Sequence, residues 1–248
     1  MKRLLFIFLI ISFTVQLSDA QLWKLRRWEA NFGVGPSFSF PDIGGYTIGK
    51  NFLGFRDLSY RQTAFNINGS LKSRLSRTLN ARLSLTYAML HSTDVRGSNE
   101  GREYKAITSL FEPSILMEYY FIKNKYESSY LFLRGKSLWT LFSSLDFYAF
   151  AGIGGAGFNV KGNDALVASP GFKKSGFSAV IPGGVGATLI YTPNINFGLE
   201  LGARYSLTDY LDGYHSEVYS KAKDVYYLLN FTVTYKLKTG PNGLPSFR

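Results

Sequence analysis

Residues 196–207 read NFGLELGARYSL, and two kinds of residue take strict turns along them. Phe197, Leu199, Leu201, Ala203, Tyr205 and Leu207 fill one phase, while Gly198, Glu200, Gly202, Arg204 and Ser206 fill the other. Period two marks an extended chain whose side chains alternate between faces. The stretch is a strand with one apolar face, and its second face carries charges of both signs.

The pattern recurs along the chain. WEANFGVGPSFSF (28–40) alternates without a break, followed by AFNINGSLKS (64–73), ARLSLTYAML (81–90), LFEPSILMEYYFI (110–122) and VYYLLNFTVTYKL (225–237). LDFYAFAGIGGAGF (145–158) and AVIPGGVGATLIY (179–191) have strand composition, but both phases carry apolar or glycine residues, so their faces stay unassigned. With NFGLELGARYSL the set is eight, and an even count near eight with alternating segments of ~10 residues fits a small transmembrane β-barrel.

The amino terminus agrees. MKRLLFIFLIISFTVQLSDA opens with Lys2 and Arg3, continues with apolar residues from Leu4 to Val15, and ends on Ser18 and Ala20. That is the layout of a cleaved secretory signal peptide. No later stretch approaches the ~20 consecutive apolar residues of a membrane helix. The 248 residues contain no cysteine and 17% aromatics. An exported chain without disulfides is held by packing or by a membrane, and strands can cross a membrane only as a closed barrel. The expected division is 1–20 signal peptide, 21–27 periplasmic segment, 28–237 barrel and 238–248 periplasmic tail.

The links set the expected orientation. Those after odd strands are long and polar, roughly 41–61, 91–109, 161–177 and 209–223, while 74–80 and 192–195 are short. Outer-membrane barrels keep short turns toward the periplasm and long loops outside. The exception is the even link 123–144, which is long and holds Tyr130, Phe132, Arg134, Lys136 and Trp139. Such a mixture suits a headgroup layer or a periplasmic partner, or SSYLFL and LWTLFSS simply extend the fourth and fifth strands as a hairpin.

An arginine facing the bilayer midplane costs about 2–4 kcal/mol, which turns the charged phase of each strand inward. Glu29, Glu112, Glu118 and Glu200 are then expected to pair inside with Lys72, Arg82, Arg204 and Lys236. Side chains alone fill an eight-stranded lumen, so this reads as a plug of ion pairs with no open pore.

Several segments also resemble a known family: FEPSILMEYYF, FYAFAGIGGAGFN, VIPGGVGATLIY and, most specifically, Thr208 to Asp212 within GLELGARYSLTDYLDGYHSEVY. They look like an outer-membrane β-barrel family of Bacteroidota whose best-known member type is PorG, a barrel associated with type IX protein secretion. The resemblance implies residence in the outer membrane, contact with its lipid, and a role in secretion alongside periplasmic proteins of that machinery. An outer-leaflet lipid-modifying enzyme and a surface adhesin acting through the long loops are the competing readings.

Sharper chemistry finds little support. Gly152, Gly154 and Gly157 satisfy a dinucleotide-type glycine spacing, but FNVKGNDALVASPG follows with no helical period, so no cofactor is expected. His91 and His215 lie near Ser92, Asp94, Ser216 and Glu217, yet catalytic sets are recognised by geometry, and solvated loop histidines are the simpler expectation. Asp209 and Asp212 read as turn chemistry rather than a calcium site. The formal charge of +11 falls in clusters such as KLRR (24–27), KNK (123–125), RGK (134–136) and KLK (236–238), toward the expected periplasmic side. Anionic lipid, peptidoglycan or an acidic protein would suit them; nucleic acid does not suit an exported barrel.

Overall fold

The computed structural model describes residues 27–40, 43–44, 62–95, 100–124, 129–132, 137, 141–142, 144–215, 223–240 and 243–246. The signal-peptide reading over 1–20 lies outside them. Eight long strands run in order: β1 (Trp28–Phe40), β2 (Thr63–Arg74), β3 (Leu79–Thr93), β4 (Lys105–Ile122), β5 (Leu145–Gly162), β6 (Ser175–Ile190), β7 (Ile195–Ser206) and β8 (Val225–Thr239). Each pairs antiparallel with the next, and β1 pairs with β8 from Trp28 opposite Leu237 to Phe40 opposite Val225. Closure leaves the eight strands without a free edge.

The faces follow the alternation. Phe32, Ile67, Leu83, Ile115, Leu199 and Phe231 stand outward and exposed, while Asn31, Asn68, Arg82, Glu118, Glu200 and Asn230 are buried within. An apolar outer wall around a polar interior is the inverse of a soluble barrel and the arrangement a bilayer requires. Where periodicity left β5 and β6 undecided, the even residues face in: Tyr148, Phe150, Phe158 and Val180 are buried, whereas Ile153 and Phe177 are 70% and 74% exposed.

The C-terminal tail departs from the expected boundary. β8 runs two residues past 237, and β9 (Pro245–Ser246) folds back to pair with Lys238 and Thr239. The indole of Trp28 donates to Gly243 O at 2.8 Å and ties that return to β1. Among its described residues the link after β4 forms no strand: Tyr130–Phe132 make a single 3-10 turn, and Leu141 and Phe142 are helical, while other parts of SSYLFL and LWTLFSS lie outside the described residues. Exposed aromatic rings gain no ladder there, and the Leu131 amide instead donates to Tyr191 O across the neighbouring short turn.

The glycines of β5 have a packing cause. A Cβ on Gly152 would lie 2.0 Å from Ile115 O and 2.8 Å from Leu116 Cα, so only glycine permits this approach of β5 to β4. Gly152→Val is expected to abolish the heat-modifiable barrel band on unboiled gels. Gly157→Ala, whose Cβ meets nothing nearer than 4.0 Å, should migrate like the parent protein. Equal behaviour of the two would refute the close approach.

Candidate functional site: the filled lumen

The lower half of the lumen, toward the short turns, is ionic. Arg82 on β3 is its centre, with Nη1 3.0 Å from Glu118 Oε1 and 2.5 Å from Glu200 Oε2. Its Nη2 reaches Glu200 Oε1 at 3.1 Å, giving the two-pronged pairing that suits a guanidinium and a carboxylate. Lys72 Nζ sits 2.9 Å from Glu118 Oε1. Glu29 pairs with Arg74 at 3.0 Å, and in the ladders it stands opposite both Lys72 and Lys236. Arg204 is more loosely engaged, its Nε 3.7 Å from Glu112 Oε1 while Nη1 donates to Gly202 O at 2.9 Å.

Aromatic side chains complete the network. Tyr148 OH donates to Glu200 at 2.9 Å, Tyr226 OH to Glu112 at 2.6 Å, and Tyr120 OH to Glu118 at 3.3 Å. The Arg82 guanidinium lies 4.8 Å from the centre of the Phe150 ring, and Lys72 Nζ 5.2 Å from that of Tyr148. Each carboxylate of the expected set is buried, and so is each cation.

Besides these aromatics, two charged members escaped the sequence reading. Arg74 shares the inward phase of Lys72, so its place could have been read from the strand. Asp146, which accepts from the Asn124 amide at 2.7 Å, could not, because β5 showed no phase. With them the inward wall carries Lys72, Arg74, Arg82, Arg204 and Lys236 against Glu29, Glu112, Glu118, Asp146 and Glu200. These ten side chains of the strand wall balance, five cations against five carboxylates.

The upper half is different, and a plug made of ion pairs alone does not describe it. Leu90, Leu110, Phe158, Val160, Val180 and Leu228 line it, and Ile43, Leu166 and Leu211 enter from the loops. Buried aspartates pin those loops. Asp212 accepts from the Ile43 amide at 3.0 Å and from Tyr214 N at 2.9 Å, and Asp224 accepts from the Leu211 amide at 2.8 Å. Asp94 accepts from Gly44 N at 2.8 Å and holds Arg102 at 2.8 Å. Burial works against the Arg102 charge, but the bonds to Asp94 outweigh it and raise the pKa. Thr108 Oγ1 closes the cap by donating to Leu211 O at 2.5 Å. Gly213 turns the chain at φ +81°, a conformation that favours glycine.

Asp212 thus does turn chemistry, as its sequence context suggested, and it also joins two loops. His215 is not a freely solvated loop histidine: its Nδ1 is 2.7 Å from Asp209 Oδ2, and its ring packs against Tyr210. His91 lies at the outer end of β3, facing outward. Among the described residues no three histidine or acidic groups are arranged to hold a metal ion. A cavity beneath the cap, bordered by Ser39, Ser92 and Leu211, has a volume of about 10 Å³, space for roughly one water.

Of the expected partner surface, Arg134, Lys136 and Trp139 fall outside the described residues. Tyr130 is half-buried, while Phe132 and Phe142 are 71% and 55% exposed at the short-turn end.

The chain is an eight-stranded transmembrane-type β-barrel. No protein-family model matches it, and no curated protein matches it. Among solved structures, Neisserial surface protein A aligns with 13% identity and a TM-score of 0.47, covering 84% of this chain and 96% of that one. The N-terminal β-barrel domain of Pseudomonas aeruginosa OprF gives 14%, 0.42, 85% and 98%. A major outer membrane protein from Thermus thermophilus gives 11%, 0.45, 84% and 98%. The fold assignment rests on the strand pairing and closure above.

Proposed function

We propose that the chain is exported by a cleaved leader, inserts in the outer membrane with its short turns toward the periplasm, and serves there as a structural or assembly component. The observation that carries this reading is the lumen, filled below by balanced ion pairs and above by an apolar cap, which leaves no route for solute. A barrel that conducts nothing acts through its surfaces.

The resemblance of Thr208 to Asp212 and the neighbouring strands to the PorG type supports an accessory role in type IX secretion. Such a role needs a periplasmic contact, and the exposed rings of Phe132 and Phe142 stand at the matching end. Replacing 126–142 with a short Gly/Asn turn is expected to leave a heat-modifiable barrel while abolishing co-purification of periplasmic partners from its own outer membrane. Undiminished co-purification would move the contact to the basic segments at 24–27 and 236–248. A deletion strain should retain the parental lipid A mass spectrum; a lost or gained lipid A species would favour an enzyme instead.

A further inference from the structure

The outward phase of the eight strands contains just two residues with a formal charge, Lys105 and Lys161. They lie at the long-loop ends of adjacent strands. Lys161 faces Ile107 across the β4–β5 ladder, and Lys105 is the diagonal neighbour two residues on, at the ~7–8 Å such positions keep. The Val160 amide donates to Lys174 O at 2.7 Å, which brings Lys173 and Lys174, just before β6, to the same rim, with Lys173 Nζ 5.1 Å from the centre of the Tyr210 ring. All four lysines are exposed, and among the described residues neither Lys105 nor Lys161 is in an ion pair, although Glu103 and Asp164 are exposed nearby.

Like charges set side by side destabilise a sheet unless something neutralises them. Their height says what that is. From Ile153, midway along β5, Lys161 is eight residues on, ~20 Å up a strand tilted by about 40°. The half-height of a barrel's apolar band is ~12 Å, so the ammonium groups stand in the headgroup layer.

Below them, past the outward row of Ser109, Asn159 and Ser175, the wall is grooved. Phe111, Gly157 and Phe177 share one row across β4, β5 and β6. The two rings are 53% and 74% exposed, and between them Gly157 offers no side chain. The Phe177 ring leans over Gly155, where a Cβ would come within 2.5 Å of it, while the space above Gly157 is open. An acyl chain fits a slot with a glycine floor and phenylalanine walls.

We infer that the β4–β6 rim is a binding site for one phosphorylated outer-leaflet lipid, its phosphate between Lys105 and Lys161 and an acyl chain in the slot over Gly157. Two lysines supply the attraction to a phosphate dianion, and the slot makes the site selective for a lipid over a free anion. The inference rests on the membrane embedding and orientation proposed above, and a barrel that stays in the supernatant after membranes are pelleted would overturn that embedding independently.

The test uses the full barrel in a neutral detergent, with monophosphoryl lipid A, its dephosphorylated counterpart and inorganic phosphate as probes, read by native mass spectrometry. One phosphorylated lipid should be retained per barrel, in preference to the dephosphorylated form. The K105Q/K161Q pair should weaken retention by roughly tenfold or more while leaving heat modifiability intact. Gly157→Leu, which fills the slot from the lipid side, should weaken retention of both lipids. Equal retention of the two lipids, unchanged retention by K105Q/K161Q, or displacement of the lipid by equimolar inorganic phosphate would each overturn the site.

Discussion

Arg82→Ala is expected to cost the barrel about 3–5 kcal/mol, because it strands carboxylates that have no access to water. The guanidinium touches Glu118 at 3.0 Å and Glu200 at 2.5 Å. Glu118 would keep Lys72, whereas Glu200 would be left to the Tyr148 hydroxyl. Urea unfolding of the detergent-solubilised or liposome-inserted protein measures the loss. Pairing Arg82→Met with Glu200→Gln removes cation and anion together, and should recover most of it, since a neutral lumen of similar volume carries no stranded charge. Arg204→Ala should cost less than Arg82→Ala, because Arg204 Nε stands 3.7 Å from Glu112, which keeps the Tyr226 hydroxyl at 2.6 Å. A loss of under ~0.5 kcal/mol in Arg82→Ala, far below the usual cost of breaking a buried pair, would mean that water reaches the network.

The second large expectation is electrical silence. Purified protein in planar bilayers should show no conductance steps of fixed size, at either polarity. Two independent obstructions lie in series: the ionic floor around Arg82, and the cap in which Leu211 and Ile43 are buried among Leu90, Phe158 and Leu228. An ion crossing the first would have to displace paired charges, and crossing the second would require shedding its hydration in an apolar layer. Regular channels in the parent protein would overturn the filled lumen. Leu211→Gly should not open it, because the floor below remains closed.

Most strands were legible because their two faces meet different solvents. In β7, Leu199 and Leu201 face outward while Glu200 is buried, and a two-residue period records that contrast directly. β5 and β6 hid their phase because the upper lumen is itself apolar: Phe158 and Val160 face in while Ile153 faces out, and no polarity difference separates them. Asp146 was lost with that phase. The network's pairing was legible only as composition. Which carboxylate meets Arg82 depends on the register of β3 and β7 across the barrel, and sequence spacing does not encode it. The loop cap was least visible, since 209–215 reads as polar turn sequence, and one leucine among aspartates gives no hint that Asp224 turns inward to hold it or that Asp212 reaches the Ile43 amide.

The cross-lumen pair has a consequence for how the barrel persists. β1 to β4 carry Glu29, Lys72, Arg74, Arg82, Glu112 and Glu118, while β5 to β8 carry Asp146, Glu200, Arg204 and Lys236, so each half of the inward network is neutral by itself. Yet Arg82 meets Glu200, and Arg204 meets Glu112, across the halves. These contacts join residues more than ninety positions apart across the lumen, so they depend on the curvature of the closed barrel and carry a high loop-closure cost early in folding. Interactions made after the rate-limiting crossing do little to hasten folding; they slow escape. The network should therefore act as a latch, setting the lifetime of the closed barrel in the membrane rather than the speed at which it is built.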